Sequence, residues 1–231
     1  MPHLPIDSRV HQVLLAGILR DGHSPSAEEM AARLQVDLPA IHASLHRLHA
    51  HHGVLLLPGT SLVWMAHPFS LSPTATWVSS GDKGDKGWWA PCLWCAMGIS
   101  ELAGGDVQVR TRLGGEAEEI TLRVQGGEVS EKLLVHFPLE PRVAWNNVIH
   151  WCASVQPFRD AASAERWCKR HGYGLGELVP LEKVLALGRL WYGRHLAPDW
   201  RKWNNREAEA IFRQAGLTGP FWSLVDGDAL F

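Results

Sequence analysis

The order of helix and strand signals in residues 8–70 constrains the fold more than any other feature of the sequence. Apolar residues recur at helical spacing between residues 10 and 19, and Ser26 with Glu29 forms a capping box that predicts a second helix. A third helix is predicted from Pro39 to Gly53, and the segment "VLLLPGTSLVWM" after it predicts a β-hairpin. Three helices followed by a hairpin indicate a winged-helix-like module.

The charge of this module does not favour DNA as its partner. Residues 1–67 contain four arginines, no lysine and five acidic residues, whereas a DNA reader neutralises several phosphates with Lys and Arg. The predicted recognition helix offers Arg47 and several histidines, which are mostly neutral at pH 7. We expect a structural or dimerisation role, with DNA binding as the less favoured alternative. The stripe of His42, His46 and His49 fits a solvated face better than a metal site.

A polar, Gly-rich segment, "SSGDKGDKG" at residues 79–87, separates this module from the rest of the chain. We predict two domains, residues 1–78 and residues 79–231. In the second, a helix is expected from about Pro91 to Gly104, followed by a hairpin, the strand "KLLVHFP" and one or two strands within "WNNVIHWCASVQPF". Helices follow in the tail. The predicted fold class is therefore α+β, a mixed or antiparallel sheet with peripheral helices.

The composition indicates a soluble globular protein with no membrane partner. The chain is 46% hydrophobic and 20% charged with a net charge of −2, and no apolar run approaches the roughly 20 residues of a membrane-spanning helix. The N-terminus also lacks the pattern of a signal peptide. We expect a cytoplasmic protein whose cysteines stay reduced, because thiols in that compartment bind metals or react more often than they form bridges.

Two of the four cysteines stand three positions apart in "PCLWCAMG", residues 91–98, so that Cys92 and Cys95 can face one pocket. A thioredoxin-like redox pair would need a βαβ context that the flanking sequence does not supply. Converging thiols suit soft ions such as Hg, Cu(I) or Zn, while inert buried cysteines are the simplest alternative. A structural zinc site would need a second ligand pair. Its candidates are His150, Cys152, Cys168 and His171.

The spacing of these cysteines resembles the alkylmercury (organomercurial) lyase family. A cysteine begins the predicted helix that ends at Gly104, and a second cysteine, Cys152, follows Trp151 and precedes "PFRDAASAERW". Counting back from Gly104, the family's first catalytic cysteine falls on Cys92 and its aspartate position falls on Cys95. A register that starts at Cys95 would put a glycine at the acid position and break the spacing to Gly104.

The resemblance implies a site in which Cys92, Cys95 and Cys152 are both catalytic and metal-binding. In the family two thiolates bind mercury and the aspartate supplies the proton that cleaves the carbon–mercury bond. The resemblance implies no cofactor. A soft metal ion, which is mercury or alternatively copper or zinc, is expected as substrate, product or ligand. The expected partner is a small organometallic compound or the metal ion itself. The oligomeric state is not indicated.

A cysteine at the acid position leaves two hypotheses open. A thiol is a poor base towards another thiol, because its ordinary pKa is about 8.5 against about 3.9 for aspartate. Either the protein is a lyase in which Cys95, Glu101, His150 or water moves the proton, or it is a non-catalytic three-cysteine site on a winged-helix scaffold that senses or stores metal.

Aromatic residues flank both cysteine segments and predict an apolar pocket for the organic group. On a strand, His150 would share a face with Cys152 and contact the site. The predicted pocket residues are Trp88, Trp89, Trp94, Trp151 and His150.

Overall fold

A computed structural model describes residues 4–80, 86–225, 227 and 230. Three helices come first, α1 (Pro5–Asp21), α2 (Ala27–Leu34) and α3 (Leu38–Ala50), followed by the hairpin strands β1 (Leu55–Leu56) and β2 (Val63–Ala66). The predicted capping box is confirmed: the Glu29 N–H donates to the Ser26 hydroxyl over 3.1 Å, and the Ser26 N–H donates to the Glu29 carboxylate over 2.8 Å. The helices and hairpin occur in the predicted order; their winged-helix character stays a prediction.

An eight-stranded antiparallel sheet forms the centre of the structure, in the order β1-β2-β3-β5-β4-β6-β7-β8. The strands after the hairpin are β3 (Phe69–Ser70), β4 (Thr76–Ser80), β5 (Lys86–Ala90), β6 (Val107–Arg112), β7 (Glu119–Gln125) and β8 (Glu128–Val129). The N-terminal hairpin therefore joins the same sheet as the later strands. The predicted division between residues 78 and 79 falls inside β4, and a two-domain organisation stays a prediction.

A second sheet has three strands, with β9 (Leu134–Phe137) between β10 (Gln156–Phe158) and β11 (Glu177–Pro180). The remaining helices are α4 (Leu93–Leu102), α5 (Val148–Ser154), α6 (Ala161–His171), α7 (Leu181–Tyr192) and α8 (Asn205–Gln214). Short 3-10 turns cover Leu113–Gly115, Pro141–Asn146 and Pro220–Trp222. The α+β class with an antiparallel sheet is confirmed. None of the helices in the described residues is both long and apolar enough to cross a bilayer.

The strand predicted around Cys152 is wrong, because this residue lies on helix α5. The Asn147 side chain accepts the backbone N–H of His150 over 3.0 Å and so caps the first turn. The β-branched and aromatic residues that suggested a strand are outweighed by this cap, and only the following Gln156–Phe158 is extended.

Helices α4 and α7 cross closely because each has a glycine at the contact. A Cβ on Gly98 would lie 2.1 Å from the Tyr192 ring, and one on Gly188 would lie 2.7 Å from Cβ of Met97. These distances are far below van der Waals contact, so only glycine allows this approach. The crossing places the Tyr192 side chain beside Cys95, one turn from Gly98 on α4.

Candidate active site

Cys92 and Cys95 take their positions from the start of α4. Cys92 is the extended residue before the helix, and its carbonyl accepts the N–H of Ala96 over 2.9 Å. Cys95 lies in the first turn, so the two side chains fall on one side of the helix. Their sulfurs are 3.7 Å apart, and both residues are almost fully buried.

Helix α5 brings Cys152 to the same point from a distant part of the chain. The Cys152 Sγ lies 3.8 Å from Nε2 of His67, and the residue is close enough to Cys92 and Cys95 to shift the pKa of both. The ligand atoms of His67, Cys95 and Cys152 all lie within 4.8 Å of one another. The structure therefore brings the three predicted cysteines together and adds an imidazole. Cys168 is elsewhere, with its Sγ 3.5 Å from Nε2 of His136.

The three thiols do not share one protonation state. Burial raises the pKa of Cys92, but hydrogen bonds from Cys152, Cys95 and the Cys95 backbone outweigh it and hold that pKa well below its ordinary value. Burial and the neighbouring Cys92 raise the pKa of Cys95 well above its ordinary value. Hydrogen bonding to Cys92 and Cys95, followed by burial, does the same to the pKa of Cys152. Of the three thiols, Cys92 is therefore the one that ionises most readily.

Two further side chains complete the thiol cluster. The Tyr192 hydroxyl oxygen is 3.5 Å from Sγ of Cys95, and burial together with Cys95 raises the tyrosine pKa well above its ordinary value. Burial, with a smaller effect of Lys202, lowers the pKa of His67 to about 4. The imidazole is therefore neutral at physiological pH, which is the form that ligates metals.

A cavity of about 40 Å³, called the inner cavity, lies beside the thiols. Cys95 and Cys152 line it, and its walls are aromatic: Trp94 packs edge-on against Trp151 at 5.8 Å and against Trp191 at 5.2 Å. The remaining lining residues include Trp145, Tyr192, Trp200 and Lys202. Cys92 and Cys152 line a second, larger cavity of about 300 Å³, called the outer groove. Cys152 thus lines both the outer groove and the inner cavity.

The predicted pocket residues divide into two groups. Trp94 and Trp151 line the inner cavity, whereas Trp88 and Trp89 lie on β5 outside its walls. The Trp88 indole donates to the Ile18 carbonyl over 2.9 Å, and Trp89 packs against a neighbouring tryptophan on β4 at 4.7 Å. Trp88 therefore belongs to the core, and Trp89 is half-buried on the sheet.

The predicted contact of His150 with the site is also wrong. Residues two apart on a helix point to different sides, so His150 on α5 cannot share the direction of Cys152. It is exposed, and its Nε2 lies 3.3 Å from the hydroxyl of Tyr173. Glu101 likewise points elsewhere, with its carboxylate 3.8 Å from the Arg189 guanidinium.

Sequence reasoning missed His67, Tyr192 and Lys202. His67 is one of thirteen histidines, and no local spacing distinguishes it. Lys202 lies between Trp200 and Trp203, and a cation next to aromatic residues was the one feature of the sequence that could have indicated its place in the site. The Lys202 ammonium lies 4.1 Å from the centroid of the Trp145 ring. Burial lowers its pKa to about 7.

Arg47, the arginine of the predicted recognition helix, forms a buried ion pair. Its guanidinium donates to the Asp7 carboxylate over 2.8 and 3.1 Å, and Asp7 is fully buried. The Ser44 hydroxyl donates to the same carboxylate over 2.7 Å. The arginine therefore supports the packing of α1 against α3.

Comparisons with known proteins agree with this fold. The chain is similar in fold to a protein described as the mercury-bound form of MerB2, with a TM-score of 0.62 and 17% identity over 81% of this chain and 89% of that one. At this identity the likeness concerns the fold alone. A sequence comparison with curated proteins gives no match.

A family model described as alkylmercury lyase matches residues 69–193. This range covers more than half of the chain and includes Cys92, Cys95, Cys152 and Tyr192. His67 and Lys202 lie outside it. The chain belongs to the alkylmercury lyase family.

Proposed function

We propose that this protein cleaves a carbon–mercury bond by protonolysis, with Cys92, Cys95 and Cys152 as the reacting groups. The observation that carries the proposal is the convergence of three buried thiols, of which Cys92 ionises most readily, beside the outer groove and the inner cavity. Membership of the alkylmercury lyase family supports it. A soft thiolate suits mercury, and the adjacent thiols hold the protons that the departing carbon requires.

The reaction starts at the Cys92 thiolate, which displaces the inorganic ligand of R–Hg–X and forms a sulfur–mercury bond. Mercury next to the Cys152 thiol acidifies it, because a bound cation stabilises the thiolate form. The Cys152 sulfur then bonds to mercury, the carbon–mercury bond breaks, and the released thiol proton goes to carbon to give R–H. One thiol proton and one carbon–mercury bond are consumed, and mercury ends between two sulfurs.

Cys95 stands at the position of the family's acid and can supply or relay the same proton. Its thiol is 3.7 Å from Sγ of Cys92 and 3.5 Å from the Tyr192 hydroxyl, so a proton held there is next to the reacting atoms. Once mercury is bound, loss of that proton makes Cys95 a third soft ligand. The residue therefore couples proton delivery to metal retention.

The test is hydrocarbon release from ethylmercury in the presence of excess neutral thiol, with ethane measured by gas chromatography. Wild type is expected to release ethane, and Cys92→Ser and Cys152→Ser are expected to lose this activity. Cys168→Ser is the matched control, because it removes a buried cysteine outside the thiol cluster. If wild type releases no ethane while Cys95→Asp does, the natural protein is not a lyase.

A second candidate function is a non-catalytic site for a soft metal ion. The observation that favours it is the grouping of His67, Cys95 and Cys152 within 4.8 Å, which provides three ligands without the family's acid. Mercury, copper(I) and zinc all accept thiolate and imidazole ligands. This function predicts stoichiometric metal binding that weakens in His67→Ala and Cys95→Ser, with no hydrocarbon released by wild type. Equilibrium dialysis followed by metal analysis measures it.

A further inference from the structure

We propose that the inner cavity recognises a carboxylate on the group bonded to the metal, and that Lys202 is the residue that pairs with it. This inference rests on the proposed function, because it names the substrate class of the same site. It starts from the composition of the cavity wall.

Lys202 is a cation in a cavity that provides no counter-charge. Of the residues in ranges 4–80 and 86–225, no aspartate or glutamate lines the cavity, and no ion pair involves Lys202. Its ammonium lies 4.1 Å from the Trp145 ring centroid, a contact that attracts a cation without neutralising it. Lys202 is half-buried, and charges shielded from water in proteins are normally paired, so this side chain indicates a place for an anion.

The other polar groups of the cavity are nitrogen atoms rather than acidic oxygens. His67 and His195 line it, and in each imidazole Nδ1 is buried without a hydrogen-bond partner in the part of the chain that the structure describes. The same holds for Nε1 of Trp94, which can only donate. A neutral imidazole can donate from either nitrogen, so these three side chains offer donors that suit an oxyanion.

The cavity therefore presents two chemically different sets of side chains. Cys95 and Cys152 line it, with Cys92 beside Cys95. Lys202 also lines it, with its ammonium against the Trp145 ring. A ligand that matches both sets carries a thiophilic metal and an anion.

The size of the cavity limits the organic group that can link the metal to the anion. A volume of about 40 Å³ accommodates roughly three water-sized groups, which suits a carboxymethyl or ethyl group and not an aryl ring. The carboxylate can belong to the organic group that becomes R–H or to a small thiol that ligates the metal. Both sources present the same chemistry to Lys202, and the experiment separates them.

The experiment compares carboxymethylmercury with ethylmercury as substrates, each in 2-mercaptoethanol, and measures acetate and ethane. The readout is the ratio of the two kcat/KM values. In Lys202→Met this ratio is expected to fall about tenfold or more, because a charge-assisted hydrogen bond is lost. Lys132→Met, which removes an exposed lysine far from the cavity, is the matched control and should keep the wild-type ratio.

A second arm uses ethylmercury in mercaptoacetate against 2-mercaptoethanol. If the carboxylate belongs to the thiol, Lys202→Met loses the advantage of mercaptoacetate and the substrate ratio of the first arm does not change. If neither ratio differs between Lys202→Met and wild type, the proposal is wrong. An equal loss for charged and neutral compounds also overturns it, because Lys202 would then serve packing or proton transfer.

Equilibrium binding keeps this inference separate from the lyase activity. Quenching of the cavity tryptophans reports the affinity for carboxymethylmercury and ethylmercury without turnover. If wild type releases neither product, the lyase function fails, and the inference is then decided by whether Lys202→Met lowers the affinity ratio about tenfold or more. An unchanged affinity ratio overturns it.

Discussion

Arg47→Met tests whether the N-terminal helices depend on a buried ion pair. Asp7 is fully buried on α1, and the side chain of Arg47 on α3 is 15% exposed. The substitution keeps much of the aliphatic length and removes the guanidinium, which leaves a buried carboxylate without its cation. Removing one partner of a buried pair typically costs about 3–5 kcal/mol.

The remaining contacts of Asp7 place the expected cost at the lower end of that range. The carboxylate keeps the Ser44 hydroxyl at 2.7 Å and the Leu4 N–H at 2.8 Å after the guanidinium is gone. We therefore expect the free energy of unfolding to fall by about 3 kcal/mol in Arg47→Met. Arg33→Met, which removes an exposed arginine of α2, should stay within about 0.5 kcal/mol of wild type.

Urea denaturation followed by tryptophan fluorescence measures both variants. Combining Arg47→Met with Asp7→Asn removes the stranded charge, so the double variant should be more stable than the sum of the single losses by about 2 kcal/mol. A loss below about 1 kcal/mol in Arg47→Met, the usual value for an exposed pair, would refute the reasoning.

The pH dependence of this pair has a definite sign. Burial raises the pKa of Asp7, but hydrogen bonds from Arg47, Leu4 and Ser44 outweigh it, so the folded pKa lies below the unfolded value. The stabilisation is therefore present above about pH 4 and is lost as the pH falls through the folded pKa. The difference in the free energy of unfolding between wild type and Arg47→Met should therefore decrease as the pH is lowered.

Two further substitutions test the site. Gly98→Ala puts a methyl group 2.1 Å from the Tyr192 ring, so we expect the free energy of unfolding, measured by heat or urea, to fall by about 1–3 kcal/mol. We also expect weaker mercury binding, because the displaced Tyr192 hydroxyl no longer contacts Cys95. An unchanged unfolding midpoint would show that the helix crossing is compliant. Cys168→Ser should bind Hg²⁺ as wild type does in a spectroscopic titration, whereas Cys152→Ser should bind it more weakly; equal affinities would remove Cys152 from the cluster.

The local part of the site could be predicted from the sequence, because it depends on positions close together in the chain. Cys92 and Cys95 are three positions apart, and the start of α4 determines that they face one side. The prediction that Cys152 joins Cys92 and Cys95 rested on the family resemblance and not on the sequence around Cys152. Its segment has strand-like residues, and the cap by Asn147 that makes it helical is a single hydrogen bond.

The other end of the cavity could not be predicted, because it is assembled from distant segments. His67 precedes β3, and Lys202 follows α7 in an irregular segment; both lie outside the range that the family model matches. The adjacent Trp88 and Trp89 also could not be placed correctly from the sequence alone. Their aromatic character predicted a pocket, but only the register of β5 determines that Trp88 packs towards α1 and hydrogen-bonds to Ile18.

In the proposed reaction, a thiol at the position of the acid changes which step is limiting. Mercury would lie between Cys92 and Cys152 after protonolysis, and Cys95, 3.7 Å from Cys92, can join as a third thiolate where an aspartate would offer a harder oxygen. We therefore expect one rapid ethane release per protein followed by slow turnover that accelerates with dithiol concentration. In Cys95→Asp, the slow phase should become less dependent on dithiol. Rapid-quench kinetics separates the two phases, and a wild-type time course without a burst would show that metal retention is not limiting.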